Sequence, residues 1–140
     1  MTVVIDTNVV LGMFNVQDPN HAIFLAWAAN RFAWAVSTEI LLEYEEVIAQ
    51  QSGAIRAVRA FKMIDAVAVW RNNLRHITPH FHWHLVTADP DDDKFADCAI
   101  AAEAEWIVTE DAHFDVLRNA RHKPKPIVPG EFIARFLAAV

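Results

Sequence analysis

Short apolar, β-branched runs alternate with stretches of helical periodicity along this chain, and that alternation limits how its backbone can be paired. Thr2–Ile5 opens the series as a buried strand. A short helix follows, capped by Thr7 or Asn8. Residues 20–31 read as a helix and Ala33–Val36 as a second strand. Ser37 or Thr38 then caps a helix to about Gln51, with Ile40, Leu41, Tyr44, Val47 and Ile48 on its buried side. Residues 55–74 read as a longer helix and 77–86 as an extended segment. Pro90 and the aspartates after it open a helix over about 92–104. A strand at 106–109, a helix at 112–119, a strand at 127–128 and a helix at 131–139 complete the pattern.

Strands that alternate with helices require right-handed crossovers, so the fold class is α/β with a mainly parallel central sheet flanked by helices. At 140 residues the chain suits a single domain spanning 1–140. In such sheets the ligand site lies beyond the carboxyl ends of the strands, and this rule selects which polar residues matter.

Composition narrows the class further. A hydrophobic fraction of 54% with 11% aromatics is far from the disordered range. The one cysteine, Cys98, excludes an internal disulfide and suits a reducing cytoplasm. The first residues lack the basic start of a signal peptide, and no apolar run is long enough to span a bilayer, so a cytoplasmic protein with no membrane partner is expected. Glycine is scarce, which removes any Gly-rich phosphate cradle. The formal net charge of −6 is unusual for a nucleic-acid binder, unless the acids are gathered where cations neutralise them.

The acids are gathered. Asp6 directly follows the first strand, and Asp111 stands just beyond the strand that ends at Thr109. Asp93 and Asp97 share a helical face, and Glu43 lies early in the helix after the second strand. Carboxylates brought together repel and become protonated unless cations hold them. Hard oxygen ligands suit Mg²⁺ or Mn²⁺, and such ions activate water against a phosphodiester without a histidine or cysteine nucleophile.

Each acid also has a plain structural account. Asp6 and Asp111 are good helix caps. Glu39, Glu43, Glu46 and Gln50 form a polar stripe at helical spacing. Asp91, Asp92 and Asp93 complement a helix dipole. Asp97 interrupts a run of small apolar residues (Ala96, Cys98, Ala99, Ile100) and resists such an account. The combination persuades more than any member.

These stretches resemble the PIN-domain family, and in particular its VapC-like toxins. The similarity runs through Val3-Val4-Ile5-Asp6-Thr7-Asn8-Val9 and Ser37-Thr38-Glu39-Ile40-Leu41-Leu42-Glu43-Tyr44. It continues through Asp89-Pro90-Asp91-Asp92-Asp93-Lys94-Phe95-Ala96-Asp97 and Trp106-Ile107-Val108-Thr109-Glu110-Asp111. The resemblance implies a metal-dependent ribonuclease acting on single-stranded RNA, with Asp6, Glu43, Asp97 and Asp111 as catalytic metal ligands and Asp93 as an auxiliary ligand. Thr7, Asn8 and Thr109 would support the site by hydrogen bonding. Mg²⁺ or Mn²⁺, a homodimer and an antitoxin partner belong to the same implication. Glu110 departs from the small residue common at that place.

Other features carry less. His80, His82 and His84 alternate along the extended segment, as a transition-metal site or as the polar outer face of a strand. His113 follows Asp111 as a phosphate contact or an exposed helix residue. Arg118, Arg121, His122, Lys123 and Lys125, with Lys94, suit an RNA backbone or a solvated loop. Phe24, Trp27, Phe132, Phe136 and Leu137 read as core, with a partner surface as the alternative. A receiver domain lacks its acceptor aspartate, because the second strand leads to Ser37 and Thr38. A haloacid-dehalogenase-like phosphatase needs an acid where Asn8 stands. The remaining rival is a non-catalytic PIN-like module that binds RNA or protein.

Overall fold

The structure, a computed structural model, describes residues 1–138. Its centre is a five-stranded sheet in which every pairing is parallel. The strands are β1 (Thr2–Ile5), β2 (Ala33–Val36), β3 (Leu74–His76), β4 (Trp106–Val108) and β5 (Lys125–Ile127). Their order is β3-β2-β1-β4-β5, so the chain winds outward from β1 in one direction and then returns to continue in the other. The junction of β1 and β4 is therefore the topological switch point of the sheet, where a crevice opens beyond the strand ends.

The helices are α1 (Thr7–Met13), α2 (His21–Ala28), α3 (Thr38–Ser52), α4 (Ala54–Arg71), α5 (Asp93–Ala101) and α6 (Pro129–Phe132). A 3-10 turn at Pro90–Asp92 leads into α5, and α6 continues as a wider π-type turn over Ile133–Leu137. Strands β1, β2 and β4 are buried almost throughout, as hydrophobic runs covered on both faces must be. Trp27, Trp34, Tyr44, Phe95, Phe114 and Phe132 are fully buried; each such side chain contributes about 1.5–3 kcal/mol relative to exposure. Phe24 and Leu137 are also buried, so the aromatic group shared by α2 and the carboxyl-terminal helix belongs to the core.

Several local expectations are corrected. The cap of α1 is Asp6, whose carboxylate accepts from the Thr7 N–H at 2.8 Å, in place of Thr7 or Asn8. Ser37 caps α3 by accepting from the Ile40 N–H, and Ile40, Tyr44 and Ile48 are its buried residues while Leu41 and Val47 are half-buried. Helix α4 stops at Arg71 because Asn72 turns left-handed at φ 54°. The third strand is Leu74–His76, since Leu74 pairs with Trp34 and His76 with Val36. Residues 77–86 form no strand and cross the surface as a strap, with Val86 alone buried among them. The segment after Asp111 is a 3-10 turn, Ala112–Leu117, and the helix placed over 131–139 begins at Pro129; its expected last residue, Ala139, lies outside the described residues. Gly53 joins α3 to α4 at φ 92°, a conformation that favours glycine over any side chain.

Candidate active site

Asp6 leaves β1 at the switch point, and its position is fixed by backbone and side chain together. Its N–H donates to the Val108 carbonyl at 2.9 Å, extending the β1–β4 ladder by one residue. One carboxylate oxygen caps α1, and the other accepts the Thr109 hydroxyl at 2.7 Å. Thr109 in turn accepts the Asp111 N–H at 2.9 Å, which orients the turn carrying Asp111. Asp111 caps the following 3-10 turn by accepting from the His113 N–H at 2.9 Å.

Glu43 arrives from α3. That helix is held to the end of β1 by Tyr44, whose buried hydroxyl donates to the Ile5 carbonyl. Glu43 accepts the Thr7 hydroxyl and pairs with Lys94 at 2.8 Å. Asn8 is exposed beside these residues, and Glu110 is exposed next to Asp111.

The electrostatics show which acids share the crevice. Burial raises the Asp6 carboxyl above its ordinary range, the Thr109 and Thr7 hydrogen bonds oppose that rise, and the charges of Asp111 and Glu43 add to it. Asp92 is pushed up to about 6, first by burial and then by the charges of Asp6, Asp111 and Asp89, against a hydrogen bond from His113. His113 Nδ1 lies 3.2 Å from both Asp92 and Asp111 and 3.9 Å from Asp89, and its pKa is raised chiefly through Asp92. Ligand atoms of Asp89, Asp92 and His113 all fall within 4.8 Å of one another.

Asp6, Glu43 and Asp111 are thus brought together, and Asp92, assigned from sequence to a helix dipole, joins them. Asp97 is buried, accepts the Trp83 N–H at 2.9 Å and lies 3.3 Å from His82. Asp93 accepts the Val86 N–H at 2.8 Å and lies 3.6 Å from His84. The two acids that share a face of α5 hold the 77–86 strap. His80, His82 and His84 are all exposed, and the last two face these carboxylates. Cys98 is buried with its thiol pushed up to about 12, which removes it as a nucleophile at neutral pH.

Hard carboxylate oxygens from four chain segments, two of them (Asp6 and Asp92) pushed up in pKa first by burial and then by neighbouring charge, are a donor set that fits a divalent cation such as Mg²⁺ or Mn²⁺. Among the described residues, no helix is long and apolar enough to cross a membrane.

Comparison with known proteins shows the family and the fold. A family model described as PIN domain matches residues 2–113, a span that holds the whole crevice from Asp6 to His113. No curated protein matches the sequence. Among solved structures, the fold is similar to the crystal structure of VapBC2 from Rickettsia felis bound to a DNA fragment from their promoter. That similarity has a TM-score of 0.56 and 19% identity, covering 82% of this chain and 92% of that chain.

Proposed function

Because the chain belongs to the PIN domain family, we propose that it is a metal-dependent ribonuclease that hydrolyses phosphodiester bonds of single-stranded RNA. The observation that carries this reading is the convergence of Asp6, Glu43, Asp111 and Asp92 at the sheet's switch point. In this reading Asp6, Glu43, Asp111 and Asp92 hold Mg²⁺ or Mn²⁺. Asp93 and Asp97, the ligands suggested by sequence, instead position the strap. A bound ion supplies charge neutralisation at the phosphate and activation of water toward it. Thr7 and Thr109 keep the Glu43 and Asp6 carboxylates aimed into the crevice. His113 supplies an N–H donor beside Asp92 and Asp111, within reach of a substrate phosphate.

The solved neighbour is a complex of two proteins on promoter DNA. By analogy, the same reading makes this chain the toxin of a toxin–antitoxin pair, acting in the cytoplasm as a homodimer and restrained by an antitoxin protein. The test is cleavage of unstructured RNA by purified protein in Mg²⁺ or Mn²⁺. EDTA abolishes cutting, Asp6→Asn lowers it by orders of magnitude, and Cys98→Ser leaves it nearly intact. Equal cutting by wild type and Asp6→Asn would overturn the assignment. Tight RNA or protein binding with no cleavage of any RNA would favour a non-catalytic module.

A further inference from the structure

The strap over residues 77–86 presents two large aromatic side chains to solvent: Phe81 is 70% exposed and Trp83 52%. Their ring centroids lie 5.9 Å apart at an interplanar angle of 46°, so neither ring covers the face of the other. Trp70, the other strongly exposed aromatic among the described residues, has the Arg71 guanidinium 3.7 Å over its ring. We propose that Phe81 and Trp83 form a stacking platform for unpaired nucleobases, which guides single-stranded RNA into the acidic crevice. The substrate class here rests on the ribonuclease reading.

The strap's attachment supports this assignment. Exposed rings on a segment without sheet pairing are useful for recognition only if something fixes them, and here α5 does so. Asp97 grips the Trp83 N–H and Asp93 the Val86 N–H, each from a carboxylate on the helix whose first turn adjoins Asp92. Between the strap and α3 lies a cavity of about 150 Å³ lined by Ser37, Thr38, Pro79, His82, Lys94 and Asp97, among others. Lys94 also pairs with Glu43, so the cavity and the crevice share a wall. His82, next to Trp83 in the strap, lines this cavity together with Lys94, which puts one cationic side chain on the path from the rings to the crevice in a chain of net charge −6. Aromatic faces next to cations track a single strand without reading its sequence, because every base offers a π face. A duplex keeps its bases stacked internally and gains nothing from such a platform.

The experiment measures fluorescence anisotropy of a labelled oligouridylate with protein in Mg²⁺, in an Asp6→Asn background that prevents cutting. Phe81→Ala and Trp83→Ala each weaken binding by roughly five- to a hundredfold, whereas Trp83→Phe binds nearly as tightly as the parent. Duplex RNA shows no such dependence. Mn²⁺ affinity and circular dichroism of the alanine variants match the parent, which separates loss of the platform from loss of the fold. Undiminished binding by both alanine variants, an equal loss on duplex RNA, or no binding by the parent would overturn the platform. If the otherwise wild-type enzyme cuts RNA and both alanine variants cut with unchanged KM, the ribonuclease reading stands and the platform falls. If nothing is cut but binding still requires both rings, the platform stands and the ribonuclease reading falls.

Discussion

The Thr109 hydroxyl lies 2.7 Å from the Asp6 carboxylate, although the two residues are 103 apart in sequence. The bond crosses the β1–β4 junction and couples the first acid of the crevice to the turn that carries the last one. Burial drives the Asp6 carboxyl toward its neutral form, and Thr109 is the largest influence holding it ionised.

Thr109→Val keeps the shape of the side chain and removes the hydroxyl. It leaves the Asp6 oxygen and the Asp111 N–H without their partner, a loss of about 1–3 kcal/mol in a buried setting. Chemical denaturation should show that loss, with weaker Mn²⁺ affinity because Asp6 holds its proton to higher pH. Thr109→Ser should restore most of both.

Divalent metal should raise the melting temperature, because it binds the folded crevice and relieves carboxylate repulsion. At a metal concentration of 100 times Kd the gain is about 2.7 kcal/mol. EDTA should reverse it. Calorimetry that detects no Mg²⁺ or Mn²⁺ binding at millimolar concentration would count against the metal site.

The metal-free protein should lose stability as pH rises from about 4 to about 6. Asp92 has a folded-state pKa near 6 against 3.8 for an ordinary aspartate, so the folded state holds more protons across that interval. Asp6 is shifted in the same direction. His113, also raised, adds stability below its unfolded pKa that disappears as pH climbs through its folded one. Asp92→Asn should flatten the acid limb in melts followed from pH 4 to 8. Mn²⁺ affinity of the wild type should increase over the same range as protons leave the ligands.

Asp92 and Asp97 should separate in mutagenesis. Asp92→Asn should weaken Mn²⁺ binding at least tenfold and slightly stabilise the metal-free protein by relieving repulsion. Asp97→Ala should leave metal affinity nearly unchanged and destabilise the protein by about 1–3 kcal/mol, because it leaves the Trp83 N–H without its acceptor. Calorimetry with the opposite pattern would return Asp97 to the ligand set.

The sequence by itself determined the alternation of strands and helices, because burial on both sheet faces demands apolar β-branched runs and the helices between them need a 3.6-residue stripe. It placed β1 and β2 to the residue, narrowed the α3 cap to Ser37 or Thr38, and put Asp6 and Asp111 beyond strand ends. It mistook 77–86 for a strand because alternation along Phe81, Trp83 and Leu85 mimics a half-buried strand; the sheet edge is set by the register of Leu74 on Trp34. Only tertiary structure decided that Asp92 lies within electrostatic reach of Asp6 and Asp111. Local spacing establishes that Asp93 and Asp97 share a face of α5, but the rotation of that face relative to the sheet is a non-local quantity. It is set where the 3-10 turn at Pro90–Asp92 passes into the helix, by the packing of Phe95 and Ala96 into the core, and by the strap that takes both carboxylates. That rotation turns Asp92 toward Asp6 and Asp111, and no pattern along the chain encodes it.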